Sequence, residues 1–440
     1  MPPISVRTAC TLGLLAVPLG AAPARAQAST LPAPASTAAD TLTLTLFDAQ
    51  ARALRNNPAF LADAQALGIA RGRLRQARSY PFNPELELEA PGAATREGLG
   101  VYQASLAQEI EAPGRTRLRA RAASLGLDRA GAEVRDAARL ALAATGEAFY
   151  EALAAERRLS VAEQILGLNQ TLLAAIRTQR REGEISALQA NLAEIEVGRA
   201  RARVLAERRQ RTAALVELRR LMGLTPDQPL RLADGPARPL GLIRTDTLIA
   251  AALARRPDVA ASVAAVQESQ TLGALTRGEA TPTLRVAAIA ERDEVGGDAR
   301  FGVGIGASLP VLNRNRGNVA AARAETSRAQ YARLATELRV RADVTQAAQA
   351  YAAAAEEVAV YESDVLQPTR ENQALLETAY RAGKIDLPSL LLVRNQLREA
   401  ELGYWDAWLA FRRARVRLEA ATGASLSPFP ADAIHGEVAR

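Results

Sequence analysis

Two stretches 200 residues apart carry one plan: Arg180-Arg181-Glu182-Gly183-Glu184-Ile185-Ser186 and Tyr380-Arg381-Ala382-Gly383-Lys384-Ile385-Asp386. Each sits between long runs rich in Ala, Leu and Arg, with charges and apolar residues at helical spacing. A glycine between two such runs is where a chain reverses, because only glycine takes a left-handed backbone without steric cost. Each stretch is therefore the tip of a helical hairpin, and the chain is a duplicated hairpin structure. The first run, about Thr116 to Gln179, has no proline; at 1.5 Å per residue it would extend on the order of 95 Å. Few globular domains are that deep.

Composition fits this form. Aromatic residues make up only 4% of the 440, and alanine dominates the apolar fraction, as closely packed helices require. Ala141, Ala143, Ala144, Ala352, Ala353 and Ala354 read as such packing positions, and Tyr404, Trp405 and Trp408 as fillers of wider gaps.

The N-terminal 1–28 have the form of a secretory signal peptide: Arg7, an apolar run from Ala9 to Leu19, then small residues around Ala24 to Ala28. Cys10, the sole cysteine, lies in that run, so the exported chain is expected to hold no disulfide. No later segment approaches eighteen consecutive strongly apolar residues, the length of a membrane-crossing helix.

The first repeat spans 29–224. A helix stops near Asn56-Asn57-Pro58, another runs from Pro58 to about Ser79, and the period then changes. Pro84-Glu85-Leu86-Glu87-Leu88-Glu89-Ala90 alternates strictly, a strand signal. Leu99 to Ile110 supplies the returning strand, so a strand hairpin covers about 84–110. On it Tyr102, Ala104, Leu106 and Ile110 share one face, opposite Gln103, Ser105 and Glu109. A half-buried hairpin and a piece of membrane barrel both give this pattern, which does not choose between them. The helical hairpin follows at about 116–222 with its tip at 181–186, closed by Gly223 with Pro226 beyond it.

Residues 225–240 read as a linker, and 241–423 repeat the plan. The strand hairpin returns at about 283–311, where Phe301, Val303, Ile305, Ala307 and Leu309 alternate with Gly302, Gly304, Gly306 and Ser308. The helical hairpin covers about 315–422 with its tip at 381–386, and Pro368 predicts a kink in it. The tail, 424–440, is poorly patterned.

Several function classes are excluded. His435 is the single histidine and lies in the tail, which removes a Ser-His-Asp site. There is no nucleotide-binding glycine loop and no zinc-protease helix. With one histidine and no cysteine past Cys10, a tight metal site is not expected, and no cofactor is implied. The formal charge of +7 is spread among interspersed acids and bases, with no nucleic-acid footprint.

Leu54 through Pro58, Asn83-Pro84-Glu85-Leu86, Gln108-Glu109-Ile110-Glu111 with Gly114, and above all Ser308-Leu309-Pro310-Val311-Leu312-Asn313-Arg314-Asn315-Arg316-Gly317-Asn318 occur in this order. Together they resemble the TolC-type outer membrane efflux protein family, closest to the branch serving heavy-metal pumps of the resistance-nodulation-division type. The resemblance covers about Asp40 to Gly423. It implies a mixed α/β membrane protein in which four strands from each of three subunits close one twelve-stranded barrel, and long helical hairpins form a periplasmic tunnel. It implies a homotrimer in outer membrane lipid, with a periplasmic adaptor and an inner membrane pump as partners, passively exporting solutes such as heavy-metal cations; it implies no enzyme.

On that resemblance Tyr102, Leu106, Phe301, Val303 and Ile305 face lipid, the alternating glycines face the lumen, and Arg96, Glu97, Arg292, Asp293 and Glu294 belong to outside loops. The tips, Arg181, Gly183, Glu184, Ile185 and Ser186 with Arg381, Gly383, Lys384, Ile385 and Asp386, would dock the adaptor and constrict the aperture. Ser389 and Leu392 stand where some members carry aperture aspartates, which weakens any cation-selective ring there. Two other readings fit the residues: the same channel on a drug pump or type I secretion system, and an exported coiled-coil interaction protein with no channel.

Overall fold

The computed structural model describes residues 42–89, 101–183, 185–233, 244–293 and 298–423. The signal peptide, Arg96, Glu97, Glu184, Glu294, the linker from 234 and the tail from 424 lie outside the described residues.

A single helix, α3 (Arg115–Arg181), sets the scale. It starts after Gly114, at φ 93°, and the chain leaves it through Gly183, at φ 82°. Between them 67 residues without a proline give a helix about 100 Å long. From Ala187–Leu221, α4 returns antiparallel to it. Arg177 pairs with Glu194 at 2.8 Å and Arg208 with Glu163 at 3.0 Å, which fixes their register.

The second half repeats this with one change. Here α7 (Arg316–Val360) and α8 (Leu366–Arg381) run towards the tip, separated by a π-helical turn at Tyr361–Val365, and α9 (Leu387–Thr422) returns. The irregularity expected at Pro368 falls just ahead of it. Proline has no N–H for the carbonyl of residue 364 and its ring crowds that carbonyl; the preceding turn widens. Tyr361 uses the extra room: a Cβ on Gly403 of α9 would stand 2.4 Å from its hydroxyl oxygen.

Each long hairpin is seated on an elbow of two shorter helices. The first is α1 (Leu46–Asn56) and α2 (Pro58–Arg78), joined at Asn57; the second is α5 (Thr245–Arg255) and α6 (Pro257–Gly278), joined at Arg256. In both, proline takes the first helical position, where its missing N–H costs nothing. In both, a left-handed glycine ending the return helix, Gly223 or Gly423 at φ 65°, packs on the elbow.

Two small strands were not legible in the sequence. β1 (Leu42–Leu44) pairs in parallel with β4 (Leu230–Leu232), so the segment read as a linker folds back onto the start of the first repeat. Three-residue strands carry too few alternations to register as a period.

The apolar core is a series of clusters along the helices. Phe149, Tyr150, Leu153, Leu218, Met222, Trp408 and Leu409 fill the middle, Val340, Val344, Tyr351 and Leu418 the second elbow, and Leu173, Ile176, Val197, Leu387 and Leu390 the region near the tips. Trp408 is in the middle cluster with Tyr404 and Trp405 against it, and the Trp405–Trp408 rings meet edge-on at 5.7 Å, so this aromatic group is packing. Ala152, Ala154 and Ala155 are fully buried, as are Ala49, Ala53 and Ala252; of the alanines read as packing positions Ala354 is buried, while Ala144, Ala352 and Ala353 are exposed in the single chain.

One 18-residue window of α3 has a mean hydropathy of 1.2, so by length and composition alone this helix could cross a membrane. Only 22% of that window is buried in the single chain. On the same helix Glu147 binds Arg417 at 2.9 Å and Glu151 binds Arg413 at 2.5 Å, ion pairs to α9 that suit a tunnel wall.

Candidate functional site

The end opposite the tips is a four-stranded antiparallel sheet in the order β2 (Glu85–Glu89), β3 (Val101–Ile110), β5 (Leu284–Asp293), β6 (Ala299–Ala307). One hairpin comes from each repeat, and β3 joins β5 over ten paired positions. The register aligns whole rows across the sheet. Leu88, Ala104, Ala290 and Phe301 form one row, and Leu86, Leu106, Ala288 and Val303 the next. Since successive side chains point to opposite faces, Tyr102, Leu106, Phe301, Val303 and Ile305 all fall on one face. Phe301 is 85% exposed there and Val303 76%.

The other face is polar. Its rows are Glu85, Ala107, Ala287, Gly304; Glu87, Ser105, Ile289, Gly302; and Glu89, Gln103, Glu291, Arg300. With Glu109 and Arg285 aligned beside Gly306, the face holds five glutamates and two arginines. Arg285 is engaged with Glu85 at 3.3 Å. The glycines make room: a Cβ on Gly304 would stand 3.4 Å from Cδ1 of Ile289. The sequence displayed these glutamates as an alternation, but their meeting on one surface depends on a register that only the fold supplies. Arg292 and Asp293, placed with the outside loops from sequence, are paired within β5 opposite Tyr102 and Val101, which puts Arg292 on the face of Tyr102.

β2 and β6 each have one neighbour among the described residues, leaving one side of each strand unpaired. An unpaired edge is a row of unsatisfied backbone donors and acceptors that lipid does not tolerate.

At the far end the two tips are built alike. Gly383 donates to the Tyr380 carbonyl at 2.9 Å and Lys384 to the Ala379 carbonyl at 2.9 Å, the paired bonds by which a left-handed glycine closes a helix. Gly183 donates to the Arg180 carbonyl at 3.2 Å. The return helices are capped by side chains: Ser186 Oγ accepts from the Gln189 N–H, and Asp386 Oδ1 accepts from the Ser389 N–H at 3.1 Å. Those bonds from Ser389 hold the Asp386 carboxyl below its usual range.

Several tip residues expected at a docking surface thus have structural duties. Ser186, Asp386 and Ser389 form the caps, and Ile185 and Ile385 are half-buried against the tip cluster. Arg181 donates to Thr178 Oγ1 at 3.1 Å at the exposed end of α3, Arg381 is the last residue of α8, and Lys384 is exposed. Leu392 is 62% exposed, with Leu188 and Leu375 also uncovered nearby in sequence. Among the described residues, no group of three or more His, Cys, Asp or Glu is placed to hold a metal ion.

A family model described as outer membrane efflux protein matches residues 50–224 and 248–424, one match per repeat. The cobalt-zinc-cadmium resistance protein CzcC of Cupriavidus metallidurans is 25% identical over 369 residues, covering 82% of this chain and 85% of that protein. Two solved channels share the fold. The CmeC outer membrane channel of Campylobacter jejuni superposes with a TM-score of 0.77 at 15% identity, over 89% of each chain. The open state of the MtrE outer membrane channel of Neisseria gonorrhoeae gives 0.71 at 19% identity, over 87% of this chain and 89% of that one. The duplicated hairpins, the sheet built from both repeats and a family match on each repeat lead to one conclusion: this chain belongs to the outer membrane efflux protein family and is the outer membrane channel component of a TolC-type efflux system, its helices forming a periplasmic tunnel and its role non-catalytic.

Proposed function

We propose that three copies of this chain close into a single duct through which heavy-metal cations leave the periplasm or an attached pump of the resistance-nodulation-division type. The observation that carries the reading is the sheet with one apolar face, one polar face and two unpaired edges. In four alternating strands β6 runs opposite to β2, so the β2 of a neighbouring copy can continue the ladder antiparallel and satisfy both edges. The face bearing Phe301, Val303 and Ile305 then meets lipid, with Tyr102 and Leu106 beside them. The face bearing the glutamates lines the water.

Five glutamates against two arginines per chain give that lumen a negative potential, which draws in cations and repels anions. The name of the Cupriavidus relative, a cobalt-zinc-cadmium resistance protein, points to the same class of cargo. The cation is met in passing by spaced carboxylates and is not held. At the tunnel's other end, the tip residues Arg181, Lys384 and Leu392, with Arg381 and the half-buried Ile185 and Ile385, form the surface on which a periplasmic adaptor docks and where the closed tunnel is constricted.

Neutralising the lumen tests the cargo class. With Glu87→Gln, Glu89→Gln and Glu291→Gln combined, channels in a planar bilayer under a salt gradient are expected to lose cation preference several-fold, and cells to lose resistance to zinc, cobalt or cadmium. Unchanged selectivity in the triple variant, or a deletion strain that stays metal-resistant and becomes drug-sensitive, would assign the duct to another kind of pump.

A further inference from the structure

Midway along the helices, α3, α4 and β4 enclose a groove of about 600 Å³ that has no part in the duct reading. Four arginines line it, Arg157, Arg208, Arg211 and Arg231, over a floor that includes Leu153 and Leu232. Its two acids are already engaged: Glu163 with Arg208 at 3.0 Å, and Glu156 with Arg211 at 3.7 Å. Arg157 is held with its guanidinium over the Trp405 ring, 5.8 Å from the centroid. Arg231 projects from the exposed middle position of β4. Neither Arg157 nor Arg231 has a carboxylate partner among the described residues. The groove is thus a cationic slot with an apolar floor and two spare guanidinium groups.

We propose that its occupant is the chain's own C-terminal segment, residues 424–440, seated by Asp432 and Glu437 on Arg157 and Arg231. Three observations favour that occupant. The segment begins beside α3, where Arg139 donates to the Ala420 carbonyl at 2.8 Å and Gly423 closes α9. From Arg139 to Arg157 is 157 − 139 = 18 residues of α3, about 27 Å along the helix. Asp432 lies 432 − 423 = 9 residues beyond Gly423 and Glu437 lies 437 − 423 = 14 beyond it, which reach about 30 Å and 46 Å when extended.

The chemistry also matches. The segment's acids are Asp432 and Glu437, and Leu426, Phe429, Ile434 and Val438 are spaced among them. Carboxylates on arginine form the stronger class of charge-assisted hydrogen bond, while those apolar residues suit the floor at Leu153 and Leu232. Docked this way, the segment straps β4 and the middle of α3.

The test uses the full chain in outer membranes, with Cys10→Ser to remove the native thiol. Ser160→Cys, at an exposed position lining the groove, is combined in turn with Ala433→Cys and with Val438→Cys, and the membranes are oxidised mildly. One of the two pairs is expected to close within a single chain in most molecules, seen as a mobility shift on a non-reducing gel. Adding Asp432→Asn and Glu437→Gln is expected to cut that yield at least five-fold, with the amount of protein in the membrane unchanged. No intrachain closure from either pair overturns the proposal. So does a yield indifferent to the two neutralised acids, and so does closure only between chains, which would give the groove to a second copy.

Discussion

Replacing Gly223 by alanine is expected to cost the folded helices about 3 kcal/mol or more, because two penalties coincide there. The residue sits at φ 65°, where an L side chain is strained by about 1–2 kcal/mol. A Cβ would also fall 2.1 Å from the Asn56 carbonyl oxygen and 2.7 Å from its carbon, backbone atoms of the first elbow that have no rotamer to give way. The matching position in the second repeat separates the two terms. Gly423 has the same φ of 65°, but its Cβ would meet Arg256 at 3.2 Å from Cγ and 3.4 Å from Cα, a contact that a small shift relieves. Gly423→Ala is expected to cost about 1–2 kcal/mol. Gly183→Ala, with φ 82° and open space around it, should show the strain alone, about 1 kcal/mol. Denaturant midpoints of the three variants should fall in that order. Equal losses at Gly223 and Gly183 would show that the elbow contact is not made.

Truncating Arg256 to alanine is expected to cost about 3–5 kcal/mol, the range for breaking a buried ion pair from one side. Its side chain is 3% exposed. It binds Asp258 through two nitrogens at 3.0 and 2.7 Å, Asp343 at 3.1 Å and the Ala421 carbonyl at 3.2 Å, tying the second elbow to α7 and α9 at one point. Removing it strands the Asp258 carboxylate and the Ala421 carbonyl, while Asp343, 41% exposed, keeps its access to water. The pH dependence gives a second readout. Burial pushes the Asp258 carboxyl up, but the hydrogen bonds and charge of Arg256 outweigh it and hold the carboxyl below its ordinary value. A carboxyl depressed by folding adds stability above its unfolded pKa, and that share is lost as pH falls through the folded value. The native protein should therefore weaken on acidification below about pH 4. In Arg256→Ala that acid-side slope should shrink. A variant as stable as the native chain, with the same acid slope, would show that Arg256 does not tie the second elbow to α7 and α9.

What the sequence made legible were features that repeat over many residues. A proline-free run of helical spacing produced α3 within a few residues of its ends, and the alternation at 301–309 placed β6 and its apolar face. The glycines at 183 and 383 marked both tips because a left-handed turn demands them. Features that depend on meeting across long separations were not legible. The β1–β4 pair needs residues 42 and 230 brought together. The acidic face needs the β3–β5 register, which joins the two repeats. The capping role of Ser186 and Asp386 appears only once their hydroxyl and carboxylate are seen closing a helix start. The four arginines of the groove come from α3, α4 and β4, and no sequence window contains them all.

Closure of a duct by three copies through the free edges of β2 and β6 leaves a seam that disulfides can capture. In membranes from cells making a Cys10→Ser chain, Leu88→Cys on β2 is paired in turn with Phe301→Cys, Val303→Cys and Ile305→Cys on β6. All four positions share one face, and β2 and β6 are not neighbours within the chain. Oxidation is expected to yield, for at least one pair, a ladder that ends at the trimer and is lost on reduction. A ladder ending at any other number, or chains that stay monomeric with every pair, would show that three copies do not close through these edges.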